Sequence, residues 1–416
     1  MIYLVLAFFL LFVFLAFRNF RLSLGLFIIG LPAYLLRVSI GPLPGTVLEL
    51  FFWAIFLVWL AKYAKSDWQN LKQIIKKYFW LFVFISLFVL ASLLAVFTSG
   101  AVYSAFGLWR AYFLEPVLLL LILLGRKNQL AGKYLAQALV LSTVSISLYA
   151  VFQKFTGLGI STPEWTIQAT RRATAFFSSP NAIGLFVVPI LALATSLWNK
   201  KHQYLWVIFW IISLLALFFT KSQGALIGLS AGVVVFIFCL GYKKIALFAV
   251  LAGVFLIVIV PSLRSAVFFT DRASNNRLIL WSQTWDYLSA SKSNFIFGAG
   301  LRQFYDKVQK PTHDWSVLER HIYPHNIFLN FWSETGLIGL LSFTAILAGL
   351  YYLAWLVWKK NQMSGAAIFF ALTALLTQGL VDVPYFKNDL AFLFWIIVAY
   401  VILSLQPADG AGRNGA

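Results

Sequence analysis

Long apolar runs alternate with short polar breaks along almost the whole chain. A membrane-spanning helix needs roughly 20 predominantly apolar residues. Runs of that order predict helices near 1–17, 22–40, 44–61, 78–97, 109–124, 134–153, 178–198, 204–219, 224–240, 245–262, 326–357, 363–381 and 389–405. The runs are continuous rather than alternating, so strands are not credible as spanning elements. The expected fold is all-α, a polytopic transmembrane bundle of about 12–13 helices with one large extracytoplasmic loop.

One segment breaks this rhythm. Residues 263–325 form the only long polar stretch. Within it, 277–290 spaces Leu278, Trp281, Trp285 and Leu288 at helical intervals, predicting an amphipathic helix lying over the bundle. Phe297-Gly298-Ala299-Gly300 marks a turn. The chain therefore divides into ten helices over 1–262, the loop 263–325, C-terminal helices over 326–405 and a tail, 406–416.

Composition sharpens the class. The chain is 62% hydrophobic and 11% charged, against about 25% charged residues in soluble domains, which excludes a water-soluble globule. Cys239 is the sole cysteine, so there is no disulfide framework and no cysteine metal site. Residues 1–17 lack a basic start and a small-residue cleavage site, and read as a first spanning helix rather than a cleaved signal.

The net charge of +19 would suggest nucleic acid in a soluble protein, but no basic-aromatic platform is visible. Placement explains it better. One set of connections carries Arg18 and Arg21, Lys62 to Lys77, Arg126, Lys127, Lys133, Lys200, Lys201, Lys243, Lys244, Lys359, Lys360 and Arg413. The alternate short connections hold only Lys154, Arg171, Arg172, Lys221 and Lys387. The positive-inside rule puts the first set and the C-terminal tail in the cytoplasm and the long loop outside. Segment 62–77, basic and mildly amphipathic, is expected on the inner leaflet.

Ionisable residues inside spans are rare and tend to pair or line a cavity. Here they are Arg37, Glu49, Arg110, Glu115, Lys221, Glu334 and Asp382, all in the outer half of the expected bilayer. That distribution suggests an outward-facing polar vestibule rather than a relay through the membrane. The blander reading is that Arg37, Lys221 and Asp382 snorkel to the interface and that Glu49 pairs with Arg37 across one short turn. Arg171-Arg172, followed by Ser178-Ser179-Pro180-Asn181 at a helix start, suggests an anion site, with helix capping by Ser179 or Asn181 the alternative. At the mouth of the helix after Pro324 stands His325-Asn326, with Gly336 and Gly339 following. At about 100° per residue both glycines share the histidine's face, where they would admit a neighbouring helix; Glu334 points away.

His325-Asn326-x9-Gly336-x2-Gly339, Asn276-Arg277 with Trp281, Gly298-x-Gly300 with Phe304, and Arg172 with Pro180-Asn181 together resemble the O-antigen ligase family. These are bacterial membrane enzymes that include lipopolysaccharide O-antigen ligases and surface-polysaccharide polymerases. The resemblance implies transfer of a glycan from a polyprenyl diphosphate donor to an acceptor hydroxyl of a glycan, lipid or protein. It places the reaction on the outer face of the cytoplasmic membrane, in a metal-independent enzyme with no cofactor. It implies catalytic roles for His325, near the acceptor, and Arg277, on the diphosphate. Arg172, Lys221, Gln223, Asn326, Arg110 and Glu115 are the expected substrate-binding residues. The chain departs from the family at Thr220-Lys221-Ser222-Gln223-Gly224-Ala225, where an arginine is usual and Gln223 stands. Lys221 offers a point charge there in place of a bidentate fork. A repeat-unit polymerase of the same family is the alternative. A transporter or flippase of lipid-linked sugars fits less well, because internal repeats and deeply placed charges are not visible.

Overall fold

The computed structural model describes residues 2–40, 43–312 and 320–406. The expected loop charges Asp314 and Glu319, and the tail from Pro407 with Arg413, lie outside them. The architecture is all-α, as expected. Its helices are α1 (Ile2–Arg18), α2 (Phe20–Ile29), α3 (Val47–Lys62), α4 (Ala64–Lys77), α5 (Phe79–Thr98), α6 (Val102–Trp109), α7 (Glu115–Gly125), α8 (Gly132–Thr156) and α9 (Pro180–Ala194). There follow α10 (Gln203–Thr220), α11 (Gln223–Cys239), α12 (Lys243–Ile259), α13 (Pro261–Val267), α14 (Arg272–Ser289), α15 (Lys292–Phe297), α16 (Ile327–Lys360), α17 (Gln362–Gly379) and α18 (Asn388–Ser404).

Among the described residues six helical segments are long and apolar enough to span a membrane, or seven if the bent pair α3–α4 is one span, and four shorter apolar helices accompany them. The chain is a multi-pass membrane protein. At the α3–α4 joint the chain turns by 96°, so α4 lies across the bundle. It buries only Asp67, Leu71 and Ile74 from one face, the amphipathic pattern expected of 62–77.

The centre is α18, buried from Asn388 to Leu403, and α9 beside it is nearly as enclosed. Helices apolar on all sides belong in a core. Small residues set the closest approaches: Gly184 faces Ala225, and Gly228 and Gly232 of α11 lie against Ala374 and Phe370 of α17. The connections sort to two ends of the bundle. At the basic end Lys62 reaches the Phe17 carbonyl, Asn70 that of Gly125 and Tyr134 that of Arg21. At the opposite end the α9, α11, α16 and α18 starts gather.

Three expected helices are interrupted, each for a local reason. The run 22–40 stops at Ile29, where Gly30 caps it and Pro32 begins a 3₁₀ turn; Arg37–Ile40 then pairs with Leu43–Thr46 as a two-stranded hairpin. Proline withholds an N–H and cannot continue the helix. The span containing Arg110 starts earlier than expected, at Val102, and passes through a π-turn, Arg110–Leu114. Pro116 causes this: it leaves the Tyr112 carbonyl without its helical donor, and the Tyr385 hydroxyl donates to it at 2.7 Å. Lastly, α16 breaks at Gly336, whose φ of 71° and ψ of −178° are not helical.

This break overturns the expectation that Gly336 and Gly339 continue His325's helical face. His325 precedes the helix, and the face count does not survive the kink. The neighbour at Gly336 is not another spanning helix but the backbone of Ile296 and Phe297, while Gly339 packs on its own Thr335. The amphipathic helix also differs from its expected form. It begins at Asp271, which caps it through Ser274 N, and buries Leu280, Thr284 and Leu288, whereas Leu278 and Trp285 are exposed. Leu280 instead joins Ala299, Phe304 and Val308 in a small core belonging to the loop itself.

Candidate active site

Three of the expected residues converge on one short connection, 380–383, between α17 and α18. Arg277 Nε donates to the Val381 carbonyl at 3.0 Å. Asn326 Nδ2 donates to the Leu380 carbonyl at 3.1 Å, while its Oδ1 caps α16 through Phe328 N and Leu329 N. His325 Nδ1 stands 3.5 Å from Asp382 Oδ1, facing the carboxylate at a distance long for an aligned hydrogen bond. Trp281 Nε1 holds the Pro324 carbonyl at 3.0 Å, tying α14 to the histidine's segment. These contacts explain why His325 can sit at φ 52°. A non-glycine residue in the left-handed region is strained and persists only where its surroundings over-determine it.

Asp382 is a site residue that sequence reasoning counted in the polar vestibule, with snorkelling to the interface as the alternative. It is buried, and a buried carboxylate needs partners. Burial pushes its carboxyl up, but the His325 ring beside it, the Lys387 ammonium and the Val383 N–H at 2.9 Å outweigh burial and hold it below the ordinary aspartate range. On its other side the histidine meets His321, with Nε2 3.4 Å from His321 Nδ1, and Tyr323 packs edge-on at 4.9 Å. Burial first, then the nearby Asp382, raises the Tyr323 hydroxyl, so it stays neutral. Only the chance of proximity after folding reveals Asp382 and Tyr323; their signal in the sequence was no more than polarity near a helix end.

The second arginine group adjoins the first. Arg172 Nε donates to the Thr220 carbonyl at 2.8 Å and its Nη2 to Asn181 Oδ1 at 3.3 Å. Ser179 makes no side-chain cap, and Asn181 serves Arg172 rather than the helix start. Burial lowers the Arg172 guanidinium from its usual value. Lys221 closes α10 at φ 52° with its side chain exposed, and Gln223, also exposed, opens α11. Gly224 then lies against Val381, whose carbonyl Arg277 holds. Arg172, Lys221 and Gln223 thus flank the same connection as Arg277 and His325. Among the described residues neither Arg172 nor Arg277 has a carboxylate ion-pair partner.

Arg110 and Glu115 stand apart, in a cluster of their own in which Glu115 Oε2 is buried with no hydrogen-bond partner among the described residues. Arg110 binds Glu49 at 2.7 Å and Glu115 at 3.2 Å. Trp53 Nε1 donates to Glu115 Oε1 and Asn388 Nδ2 to Glu49 Oε1, each at 2.7 Å. The expected Arg37–Glu49 pair does not form: a capping box with Thr46 turns Glu49 onto its own helix start, toward Arg110.

Glu334 does not pair with His325, as its position suggested. It accepts the Arg302 backbone N–H at 2.6 Å and anchors the base of the long loop. Gly298 and Gly300 carry positive φ there, and a Cβ on either would strike the backbone of Ser333 or Ser99. Ala299 N donates to the Ser333 carbonyl at 2.6 Å, and Lys307 Nζ bridges the Thr98 and Ala299 carbonyls. The Gly298-x-Gly300 and Gly336 positions are therefore one device, a close backbone junction that holds the loop over α5 and α16.

Residues 207–344 match the family model described as O-Antigen ligase. The matched span includes Lys221, Gln223, Arg277, His325 and Asn326, and ends before Asp382. Among curated proteins, none matches the chain.

Proposed function

We propose that this chain, which belongs to the O-antigen ligase family through residues 207–344, transfers a glycan from a polyprenyl diphosphate to an acceptor hydroxyl at the extracytoplasmic face of the cytoplasmic membrane. One observation carries the reading: an arginine with no carboxylate partner among the described residues, Arg277, and a histidine backed by a buried aspartate meet at the single connection 380–383. A diphosphate needs the first and an attacking hydroxyl the second.

The geometry supports the following roles. An ionised Asp382 beside Nδ1 favours the ring proton there, leaving Nε2 as the acceptor. His325 Nε2, released from its 3.4 Å contact with His321 Nδ1, takes the acceptor's hydroxyl proton as its oxygen attacks the sugar carbon. The new C–O bond forms as the bond to the diphosphate breaks, and polyprenyl diphosphate leaves with the electron pair. Arg277, with Arg172 and Lys221, neutralises the charge that develops on it. Single displacement inverts the sugar carbon. The prenyl tail stays in the bilayer, which suits a site at the bundle's end. Arg110 and Glu115 take no direct part in this scheme, because each already holds its partners.

Ligase and repeat-unit polymerase share these steps and differ in acceptor. Reconstituted protein given a polyprenyl-diphosphate oligosaccharide should release polyprenyl diphosphate only when an acceptor is added. Product size with a lipid acceptor against a glycan acceptor separates the two activities. His325→Ala and Arg277→Ala should abolish release at normal expression; full activity in both removes the site assignment. Reporter fusions that put 263–325 in the cytoplasm overturn the topology.

A further inference from the structure

A second feature lies at the opposite, basic end of the bundle. A cavity of about 470 Å³ opens between α2, α8 and α10, lined by Leu22, Leu26, Gln137, Leu141 and Trp206 among others. Its three walls are graded alike. On α2, Arg21 is followed one turn on by Gly25 and then Ile29; on α8, Lys133 is followed by Gln137 and Leu141; on α10, the Lys200–His202 turn precedes Trp206. Residues four apart share a helix face about 6 Å further along the axis. Each wall therefore begins at a basic rim, and two of them carry a polar donor about one turn deeper.

We propose that this groove binds one anionic glycerophospholipid, with its phosphate at Arg21 and Lys133, an ester carbonyl at Gln137, and an acyl chain along Leu26, Leu141 and the Trp206 ring. Four observations support that occupant. The Arg21 guanidinium is stacked 4.6 Å over the Tyr134 ring at the groove wall, and the Tyr134 hydroxyl is fixed to the Arg21 carbonyl at 2.6 Å. This holds a cation at the mouth. Arg21 and Lys133 have no carboxylate ion-pair partner among the described residues. Gln137 lines the groove with its side chain exposed, a donor one turn below the rim. Apart from Tyr134 the rest of the lining is largely apolar. A glycerophospholipid offers charge, carbonyls and chain in that order. A polyprenyl phosphate has no ester carbonyl to meet the Gln137 amide.

The inference stands independently of the transfer reaction, and native mass spectrometry of the full-length protein in detergent tests it. Phosphatidylglycerol, phosphatidylcholine and undecaprenyl phosphate are titrated in turn, and thermal stability is followed in parallel. Phosphatidylglycerol should be retained preferentially and raise the melting temperature. Arg21→Gln and Lys133→Gln should each weaken its retention about five-fold, the share of one basic side chain at an anionic lipid surface. Gln137→Leu, which removes the amide donor, should weaken both phospholipids and leave the prenyl phosphate unchanged. Equal retention of the two phospholipids, a preference unaltered in all three variants, or undecaprenyl phosphate retention that falls in Arg21→Gln and Lys133→Gln would overturn the proposal. The substituted side chains are exposed, and unchanged melting without lipid verifies that each variant folds.

Discussion

Two arginine-bearing clusters occupy the same polar region of the molecule and differ in what surrounds the cation. Around Arg110 two carboxylates are already in place, and each is further held by Trp53 or Asn388. Around Arg277 the partners are a backbone carbonyl and, nearby, a histidine whose own aspartate is satisfied by other groups. The first arrangement is closed and consumes its charge in holding α3, α7 and α18 together. The second leaves guanidinium donors unspent. From residue types alone both qualify as substrate-binding sites; the partners make one a structural joint and the other a place for an anion.

This contrast can be broken at several points. The largest effect should come from His325→Ala, which is expected to cut transfer by about 10²–10⁴-fold, the usual contribution of a general base. Arg110→Met should act on stability instead: it strands Glu49 and Glu115, and removing one partner of a buried ion pair costs on the order of 3 kcal/mol. Thermal unfolding in detergent measures this, and Glu49→Gln/Glu115→Gln in the same background should recover part of the loss. A stable Arg110→Met enzyme with abolished turnover would reverse the roles given to the two clusters.

Asp382→Asn offers a smaller effect with a definite pH dependence. The folded-state carboxyl lies below its unfolded value of about 3.9. Its contribution is therefore fully present above that pH and disappears as pH falls through the folded-state value. The wild-type melting advantage over Asp382→Asn should be constant near neutrality and vanish in strong acid; an advantage that grows with acid would contradict the pairing. The smallest effect belongs to Trp53→Phe, which removes one hydrogen bond to Glu115 and should cost about 1 kcal/mol with turnover unchanged.

Much of this was legible in the chain itself, for physical reasons that also mark where legibility ends. Apolar run length locates spanning helices because lipid permits few alternatives. It does not register a proline's effect one turn upstream, so the π-turn before Pro116 and the early stop at Gly30-Leu31-Pro32 escaped it. His325, Asn326 and Arg277 were found through their motif. Asp382 was not, because its partner lies 57 positions earlier and only the fold brings the two together. Glu49 was given the nearer arginine, Arg37, because a sequence shows separation along the chain but not the direction a capping box imposes.

The glycine junction beneath the long loop has a consequence for how such a protein tolerates change. Gly298, Gly300 and Gly336 each face another stretch of main chain where a side chain would sit. No larger residue fits without moving backbone on both sides, and compensation by repacking is closed off because the obstacle is not a side chain. Sequence drift at the loop's base is therefore confined. The outward face of α14, where Trp285, Asp286 and Ser289 are exposed, carries no such constraint. Variation can accumulate over the site's covering helix while the geometry that suspends it stays fixed.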